Sequence, residues 1–479
     1  MKKLLLSLPY GMSARNFLGS SVFSMLRRHF QVVLATPLHK DPAFCAEFNR
    51  QGVEVVDIPK PPIVPMRLYR HMLDIMEGVH FSRKTQIKTL QILENCLKRE
   101  RPGIYYRRKI IGSILLAVPG LFKFLRGIQN KFIGMPYYEK LLDEVRPDVI
   151  FQTHPLCIDE FPMALHAKKA GIPVVAMLHS WDNITTKSGI RVVTSDRPGR
   201  MLPIMFDHFL VWNEVQKAEL MRYYGYSEAQ ITVTGMPQFD FYKTYQYSSR
   251  EIFCKKWGLD PKKKLIVFTA GSPKMLPKQN EVIDILIDSV MTDKFGHSAQ
   301  LLIRTHPMTK MEYLKDKLKE SFVQIQYPKA AYVTDRITSG WNNSHDDQSE
   351  FAETIHHADV VINVASTVCL DCAALDKPSI CVAFDGHSNM PYHQSIVKNY
   401  DFDHFLPIIN SGGVRIARSA AELREMVNNY IVDPSLDSEG RAKLREVECY
   451  RVDGNSAERV ADALAAFAYG AVSQRAVGT

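Results

Sequence analysis

The sequence predicts a doubly wound α/β architecture, in which helices cover both faces of parallel sheets. Short uninterrupted apolar segments alternate with amphipathic segments along most of the chain. This alternation is typical of buried parallel strands joined by crossover helices. The alternation runs through the chain twice, and 479 residues are more than one hydrophobic core usually holds. We therefore expect two parallel-sheet domains.

The first half of the chain contains six segments typical of buried strands: KKLLLSLP, QVVLATP, RPDVIFQTHP, IPVVAML, DHFLVWN and QITVTGMP. The opening residues carry the basic and apolar character of a signal peptide, but the apolar run is short and Pro9 ends it. We interpret it as the first strand. Residues 60–140 lack strand segments, and we expect a helical insertion there.

The alternation restarts after a polar and aromatic stretch near residues 243–257, with the segments KKLIVFTAGSP, QLLIRTHP, VQIQYP, DVVINVAST and PSICVAFD. The sequence thus predicts an N-terminal domain at 1–242, a C-terminal domain at 243–455 and a final amphipathic helix at 456–479.

Composition narrows the class of protein. The net charge of +9 fits anionic small molecules, anionic lipid or nucleic acid without choosing between them. The sequence lacks a P-loop motif and a dinucleotide-binding glycine motif after the first strand. The eight cysteines lack a secreted-domain spacing, which favours reduced thiols. Cys369 and Cys372 form a C-x-x-C pair that indicates either core packing or, with further ligands, zinc.

Ligands of open parallel sheets lie beyond the C-terminal ends of the strands, so the residues that follow the predicted strands are the site candidates. In the first half these are Gly11, Arg15, Asn16, His154, His179, Asp182 and Lys187. An imidazole titrates near neutral pH and suits the role of a base that takes a proton from an attacking hydroxyl. We expect His179 in that role, with Asp182 orienting it or acting as the base itself. The alternative for His179 is a loop histidine that hydrogen-bonds backbone.

In the second half the candidates are Ser272, Arg304, His306, Ser366, Thr367 and Asp371. The residue pair 366–367 begins a predicted helix, and the free N–H groups of a helix start suit a phosphate. Asp371 lies about one turn further, within reach of a ribose hydroxyl. Arg304 suits a pyrophosphate because a guanidinium binds phosphate in bidentate geometry. The alternatives are a capped core helix, an ion pair for Arg304 and a structural histidine at His306.

Four of these segments, taken in order, resemble the GT-B glycosyltransferases, most closely the CDP-glycerol glycerophosphotransferase-like branch of bacterial surface-polymer enzymes. MLHSWDNITTKSG resembles the WHGTPLK-type segment of that branch, with His179 on its histidine and Lys187 on its lysine. ITVTGMPQFDFY resembles TGYPRND, and LLIRTHP resembles LRLHP. ADVVINVASTVCLDCAALDKPSICVAFD resembles ADILITDYSSVMFDFALLNKPIIFY. The resemblance covers residues 145–390.

The resemblance implies two Rossmann-like domains facing a central cleft, with a nucleotide-activated donor on the C-terminal domain and the acceptor on the N-terminal one. It implies transfer without a cofactor or a bound metal, and a histidine base favours inversion. The sequence departs from the family at three places: Ala365-Ser366-Thr367 replaces tyrosine-serine-serine, Ser180 replaces a glycine, and FTAGSP replaces APTWR. Because these changes touch the donor pocket, we expect a nucleotide sugar as donor, with glycerol phosphate transfer as the alternative.

Two further functions stay open on the sequence. One is a nucleotide-sugar 2-epimerase of the non-hydrolysing type, which shares the fold and needs no separate acceptor. The other is a non-catalytic module that binds a nucleotide or a polymer. The basic and apolar segment at 105–131 argues against the epimerase, since an epimerase needs no lipid.

The segment from Arg107 to Lys131 carries an apolar run, Ile110 to Phe122, that is too short to span a bilayer. Basic residues flank it on both sides, which is typical of an interfacial anchor on anionic lipid. The alternative is a helix in the core or in a dimer interface. The family resemblance implies action at the inner membrane face, so we expect a cytoplasmic protein that is peripheral on the inner face of the bacterial cytoplasmic membrane. The expected partners are a nucleotide-activated sugar, a polysaccharide or lipid-linked glycan acceptor and an anionic membrane surface, but no nucleic acid; a homo-oligomer stays open.

Overall fold

The computed structural model describes residues 1–59, 67–133, 135–155, 160–186, 206–272, 275–295, 298–306, 322–328 and 345–470. These residues divide into two compact units. Unit 1 contains the described residues of 1–238 and those from 455 onward, and unit 2 contains the described residues between 239 and 454.

Unit 1 is built on a parallel sheet that has seven strands within the described residues, in the order β3-β2-β1-β4-β5-β6-β7. The strands are β1 (Lys2–Ser7), β2 (Phe30–Ala35), β3 (Glu54–Val56), β4 (Val149–Gln152), β5 (Val174–Met177), β6 (His208–Val211) and β7 (Ile231–Val233). The order reverses direction between β1 and β4, which makes their C-terminal ends the switch point at which such sheets bind ligands.

The strands β4, β5 and β6 of unit 1 are buried along their whole length because helices cover both faces of the sheet. Leu4, Leu5 and Leu6 of β1 are fully buried, and β1 pairs with β2 on one side and β4 on the other. The surrounding helices are α1 (Gly11–Leu18), α2 (Val22–His29), α3 (Pro42–Arg50), α4 (Arg67–Thr85), α5 (Lys88–Glu100), α6 (Pro102–Ala117), α7 (Leu121–Ile133), α8 (Pro136–Val145), α9 (Phe161–Lys169), α10 (Asn183–Thr186) and α11 (Glu214–Glu219).

Helices α4 to α7 form an insertion between β3 and β4. Helix α6 lies against α4 at Gly112, where an added Cβ would come within 2.7 Å of Val79 Cγ2. This close approach buries one face of α6 and leaves the opposite face exposed. None of the described helices is both long enough and apolar enough to cross a membrane.

Unit 2 is built on a second parallel sheet, with six strands within the described residues in the order β10-β9-β8-β11-β12-β13. The strands are β8 (Lys264–Thr269), β9 (Ala299–Arg304), β10 (Val323–Gln326), β11 (Val360–Asn363), β12 (Ser379–Val382) and β13 (Arg415–Ala417). The helices are α12 (Asp240–Thr244), α13 (Arg250–Trp257), α14 (Gln279–Met291), α15 (His345–His357), α16 (Val368–Ala374), α17 (Leu406–Ser411), α18 (Ala420–Val432) and α19 (Ser438–Glu448). Its switch point lies between β8 and β11.

The predicted α/β class with two parallel sheets is confirmed, and each predicted strand segment contains an observed strand. The sequence did not predict β3 and β13, which are three residues long and lie at sheet edges, where apolar periodicity is shortest. The last helix, α20 (Ser456–Ala468), belongs to unit 1. Arg459 Nε donates a hydrogen bond to the carbonyl of Thr234 at 2.8 Å.

Candidate functional site

Two histidines and a tyrosine meet at the C-terminal edge of the unit 1 sheet. Tyr10 follows β1, His154 follows β4 and His179 follows β5, and these three strands are neighbours in the sheet. The rings of His154 and His179 stack, with centroids 4.0 Å apart and planes 21° from parallel. Tyr10 meets His154 edge-on at 5.0 Å. The sheet thus brings two sequence-predicted residues into direct contact.

The amide of Asn183 holds one ring nitrogen of His179. Asn183 is the first residue of α10, is buried, and has its Nδ2 2.8 Å from His179 Nδ1. Among the described residues, its Oδ1 is buried without a hydrogen-bond partner. The carboxamide oxygen and nitrogen are nearly isosteric, so the reversed amide accepts a hydrogen bond from Nδ1–H with Oδ1. In that arrangement Nδ1 of His179 carries a proton, and Nε2 is the other ring nitrogen.

Asp182 binds its own chain neighbours. Its Oδ1 accepts a hydrogen bond from Ser180 Oγ at 2.5 Å, and its Oδ2 accepts one from Thr186 Oγ1 at 2.8 Å. These contacts close the turn into α10. Asn183 contacts the imidazole at Nδ1 and is therefore a further candidate, beside Asp182, for the residue that orients His179. Sequence analysis missed Asn183, although its position four residues after His179, at a helix start, was a usable signal.

A buried carboxylate, that of Glu160, hydrogen-bonds to two chain segments at the same edge of the sheet. Glu160 is 1% exposed, and its side chain accepts hydrogen bonds from Ser7 Oγ and from the backbone N–H of His154, the latter at 2.9 Å. Glu160 therefore connects the end of β1 to the residue after β4. The indole of Trp212 donates to the carbonyl of Leu178 at 2.7 Å, which fixes the backbone just before His179. The sequence did not indicate either residue as part of the site.

The remaining unit 1 candidates are placed as follows. Gly11, Arg15 and Asn16 all belong to α1, the helix that follows β1. Asn16 is buried. The side chain of Arg15 and the whole of Lys187 lie outside the described residues.

In unit 2, the side chain of Arg304 is paired with other side chains of the same unit. It is the last residue of β9 and is 7% exposed. Its Nη1 donates to Gln326 Oε1 at 2.7 Å, and its Nη2 lies 3.0 Å from Asp347 Oδ1. The guanidinium also stands over the ring of Phe351. Burial lowers the pKa of Arg304, and the Asp347 carboxylate opposes that change. Within unit 2, the Asp347 carboxylate therefore compensates the charge of Arg304 in the interior.

Asp371 is buried to the same degree as Arg304. Its Oδ1 accepts a hydrogen bond from the Tyr242 hydroxyl at 2.7 Å. Burial, and then the nearby Asp371 charge, raise the pKa of Tyr242 well above its ordinary value. The carboxylate that we expected to reach a ribose hydroxyl therefore ties α16 to α12.

The other unit 2 candidates are half-buried and follow adjacent strands. Ser272 follows β8, His306 follows β9, and Ser366 and Thr367 follow β11, with β9, β8 and β11 neighbours in the sheet. Burial lowers the pKa of His306. Ser366 Oγ lies 3.4 Å from the N–H of Val368. Thr367 is the N-cap residue of α16 without a side-chain capping bond.

The C-x-x-C pair lies in the core of unit 2. Cys369 and Cys372 are fully buried. Cys369 Sγ lies 3.3 Å from Cys381 Sγ, and both thiols lie 3.3 Å from Asn363 Oδ1. Among the described residues, no group of three histidine, cysteine or acidic side chains is arranged to hold a metal ion. The pair packs as small polar core residues.

Comparison with solved structures shows which fold these two units share. A UDP-GlcNAc 2-epimerase from Neisseria meningitidis, bound to UDP-GlcNAc, is 12% identical over 96% of this chain and 99% of that chain, with a TM-score of 0.55. A UDP-GlcNAc 2-epimerase from Methanocaldococcus jannaschii is 14% identical over 96% and 98%, with a TM-score of 0.51. A glycosyltransferase from Rickettsia africae is 9% identical over 98% of both chains, with a TM-score of 0.50. At these identities the similarity establishes a GT-B-like fold.

Sequence comparison gives a family. No curated protein matches the chain. The family model for CDP-Glycerol:Poly(glycerophosphate) glycerophosphotransferase matches residues 183–466, which is more than half of the chain. The match begins at Asn183, so His154 and His179 precede it. The fold and this match agree with the resemblance that the motifs indicated, and the chain therefore belongs to the CDP-glycerol glycerophosphotransferase family of transferases.

Proposed function

We propose that the protein transfers a sugar or a glycerol phosphate from a nucleotide-activated donor to a hydroxyl of a lipid-linked or growing cell-surface polysaccharide. Family membership supports a transferase with a nucleotide-activated donor. The observation that carries the residue assignment is the stacked pair of His154 and His179, with Asn183 at Nδ1, at the switch point of unit 1. The acceptor is assigned to unit 1 and the donor nucleotide to unit 2.

In the proposed reaction, Nε2 of His179 takes the proton of the acceptor hydroxyl. The acceptor oxygen then forms a bond to the reactive centre of the donor, which is the anomeric carbon of a sugar or the phosphorus of glycerol phosphate. The bond from that centre to the nucleotide breaks, and the nucleotide leaves with the electron pair. Proton transfer to a positioned base contributes about 10²–10⁴-fold to such a rate. Attack from the side opposite the nucleotide inverts a sugar carbon.

On the donor side, we assign the nucleotide phosphates to the edge formed by Ser272, His306, Ser366 and Thr367. The strands that precede these residues, β9, β8 and β11, are adjacent in the sheet. The four side chains are half-buried at the switch point of unit 2. Arg304 and Asp371 support this edge from the interior, through Asp347 and Tyr242. The assignment needs no metal or cofactor.

An anionic membrane surface is the proposed location of the acceptor. Helix α6, the start of α7 and the turn between them carry large apolar side chains that are about half exposed or more: Tyr106, Ile110, Ile114, Val118 and Phe124. Arg107, Lys123 and Lys131 are exposed beside them. Lys109 is already paired with Glu94 at 2.9 Å. Apolar burial together with attraction to anionic lipid is the combination that holds interfacial helices, and it supports the inner membrane face as the place of action.

A second candidate is a nucleotide-sugar 2-epimerase. The observation that favours it is the similarity over nearly the whole chain to UDP-GlcNAc 2-epimerases, one of them bound to UDP-GlcNAc. The family match favours the transferase.

One experiment separates these functions. The full-length protein is incubated with CDP-glycerol and with a panel of nucleotide sugars, with and without a lipid-linked polyol phosphate acceptor, and the nucleotides and sugars are resolved by mass spectrometry and NMR. Release of CMP from CDP-glycerol, or of a nucleoside diphosphate from a sugar donor, only when acceptor is present supports transfer. A changed sugar without acceptor supports the epimerase. Nucleotide binding without any product would leave a binding module and refute both enzymes.

A further inference from the structure

The carboxylate of Glu281 joins two chain segments at the C-terminal edge of the unit 2 sheet. Glu281 lies in the first turn of α14, the helix that follows β8, and the loop after β12 reaches it at residues 386–388. Glu281 Oε2 accepts a hydrogen bond from the backbone N–H of His387 at 2.8 Å. Ser388 Oγ donates to the same carboxylate and lies 3.1 Å from Oε1 and 3.2 Å from Oε2. The loop after β12 is therefore tied to the helix after β8.

This contact depends on the absence of a side chain at Gly386. A Cβ added there would lie 2.3 Å from the Cβ of Glu281, which is closer than two carbon atoms can approach. Gly386 also has a φ of +65°, in the left-handed region that favours glycine. The conformation of the loop and its close approach to α14 thus both require glycine at this position.

The tie is charged. Glu281 Oε1 lies 3.0 Å from Lys278 Nζ. The hydrogen bond from Lys278, and then the one from the N–H of His387, lower the pKa of Glu281, so that its carboxylate is ionised at neutral pH. Hydrogen bonds that an ionised carboxylate accepts are stronger than those between neutral groups, which favours a fixed position of the loop.

The two segments that Glu281 joins flank the loop that carries Ser366 and Thr367. Strand β11, which precedes that loop, lies between β8 and β12 in the sheet, and adjacent strands are about 4.8 Å apart. The carbonyl of Ser272 accepts a hydrogen bond from the N–H of Met275 at 2.9 Å, at the approach to α14. A phosphate bound after β11, as assigned above, therefore has the loop after β8 on one side and the loop after β12 on the other.

From this arrangement we infer that Glu281 is a positioning residue of the donor site. It holds the loop after β12 so that the exposed imidazole of His387 donates a hydrogen bond to a phosphate oxygen of the nucleotide. The inference rests on the proposed function, through the assignment of the donor nucleotide to unit 2. Glu281 itself makes no contact with the donor and acts through His387.

Three single variants and a control test this role. Glu281→Ala removes both hydrogen bonds to the loop, whereas Glu281→Gln keeps an oxygen for the N–H of His387 and loses the charge. His387→Ala removes the imidazole and keeps the backbone N–H. Glu422→Ala is the matched control, because Glu422 also lies in the first turn of a helix and accepts a backbone N–H, that of Arg418, at 2.8 Å.

The full-length protein and its variants are titrated with CDP, UDP, GDP and ADP by calorimetry, and urea unfolding is measured on the same preparations. We expect Glu281→Ala and His387→Ala each to weaken nucleotide binding about tenfold, since each removes the hydrogen bond to a charged phosphate. Glu281→Gln should weaken it less than Glu281→Ala. Glu422→Ala should stay within about twofold of wild type, as surface charges away from a site contribute little. His387→Ala should leave the urea midpoint unchanged, because the side chain is exposed.

The double variant Glu281→Ala/His387→Ala separates positioning from an independent contribution. If Glu281 acts through His387, the double variant should bind nucleotide no more weakly than the weaker single variant, since residues that act as a unit are not additive. Additive losses would overturn the positioning role. If Glu281→Ala and His387→Ala bind like Glu422→Ala, the inference is wrong and the donor assignment stands. A wild-type protein that binds none of the four nucleotides would overturn the donor assignment and the inference together.

Discussion

The two sheets carry candidate residues at equivalent edges, but the charged candidates of unit 2 are buried whereas the histidines of unit 1 are not. At the edge of unit 1, His154 and His179 are half-buried and stack on each other. At the edge of unit 2, Arg304 and Asp371 are each 7% exposed and are held by Asp347 and Tyr242. The position at a strand end therefore does not determine whether a charged side chain is exposed or paired in the interior.

The difference follows from the cost of burying charge. A buried guanidinium or carboxylate needs a partner that compensates its charge. Removal of one partner leaves the other charge buried without compensation and destabilises the protein. Arg304 and Asp371 found partners on other elements of unit 2. His179, by contrast, is half-buried and contacts a ring and an amide. We expect unit 1 edge variants to change chemistry and unit 2 interior variants to change stability.

The largest expected effect is on turnover. His179→Ala should lower kcat by about 10²–10⁴-fold, because it removes the proposed base. Nucleotide affinity, measured by calorimetry, should stay within a few fold of wild type. The control is His208→Gln, which alters a histidine of the same sheet that is held by Thr232. Turnover close to wild type in His179→Ala would contradict the expectation that the edge of unit 1 carries the chemistry.

The next effect is on the stability of unit 2. Arg304→Met should cost about 3–5 kcal/mol, because it leaves the buried Asp347 carboxylate without its cation. Adding Asp347→Leu should recover most of that loss. Urea unfolding followed by tryptophan fluorescence measures both variants. A stable Arg304→Met protein that has lost nucleotide affinity would instead place Arg304 in the donor site.

The third expected effect is on the pH dependence of unfolding, through the buried His208. Burial lowers the pKa of His208 to about 4, whereas the unfolded chain binds the same proton near pH 6.5. The stability from neutral His208 is therefore complete above about pH 6.5 and is lost as the pH falls towards 4, by up to about 3 kcal/mol. His208→Gln should flatten the pH dependence of unfolding in that window. An unchanged slope would show that His208 is not buried as described.

The smallest effect concerns the orientation of His179. Asn183→Asp places a carboxylate at Nδ1, and an adjacent negative charge raises the pKa of an imidazole. The acidic limb of the kcat/KM profile should move to higher pH by about one unit. Asp182→Asn is the matched change on the neighbouring residue and should move it less. If Asp182→Asn produces the larger shift, Asp182 orients the base as the sequence first suggested.

The sequence by itself determined the fold class, because burial on both faces of a parallel sheet forces continuous apolar strands that can be recognised without coordinates. The order of motifs also indicated the family, and His154 and His179 were selected as residues that follow strands. That selection works because the C-terminal ends of neighbouring parallel strands meet at one edge. The strands β3 and β13 were missed, since each begins with a charged residue and has only two apolar residues after it.

Only the tertiary structure decided which candidates are half-buried and which are paired in the interior. Asp347 lies 43 residues after Arg304, and Tyr242 lies 129 residues before Asp371, so local sequence could not indicate that either charge is satisfied in the interior. The same holds for Glu160, which joins β1 to the loop after β4. Hydrogen bonds and charge pairs depend on distances of a few ångströms, and folding, not sequence separation, sets those distances.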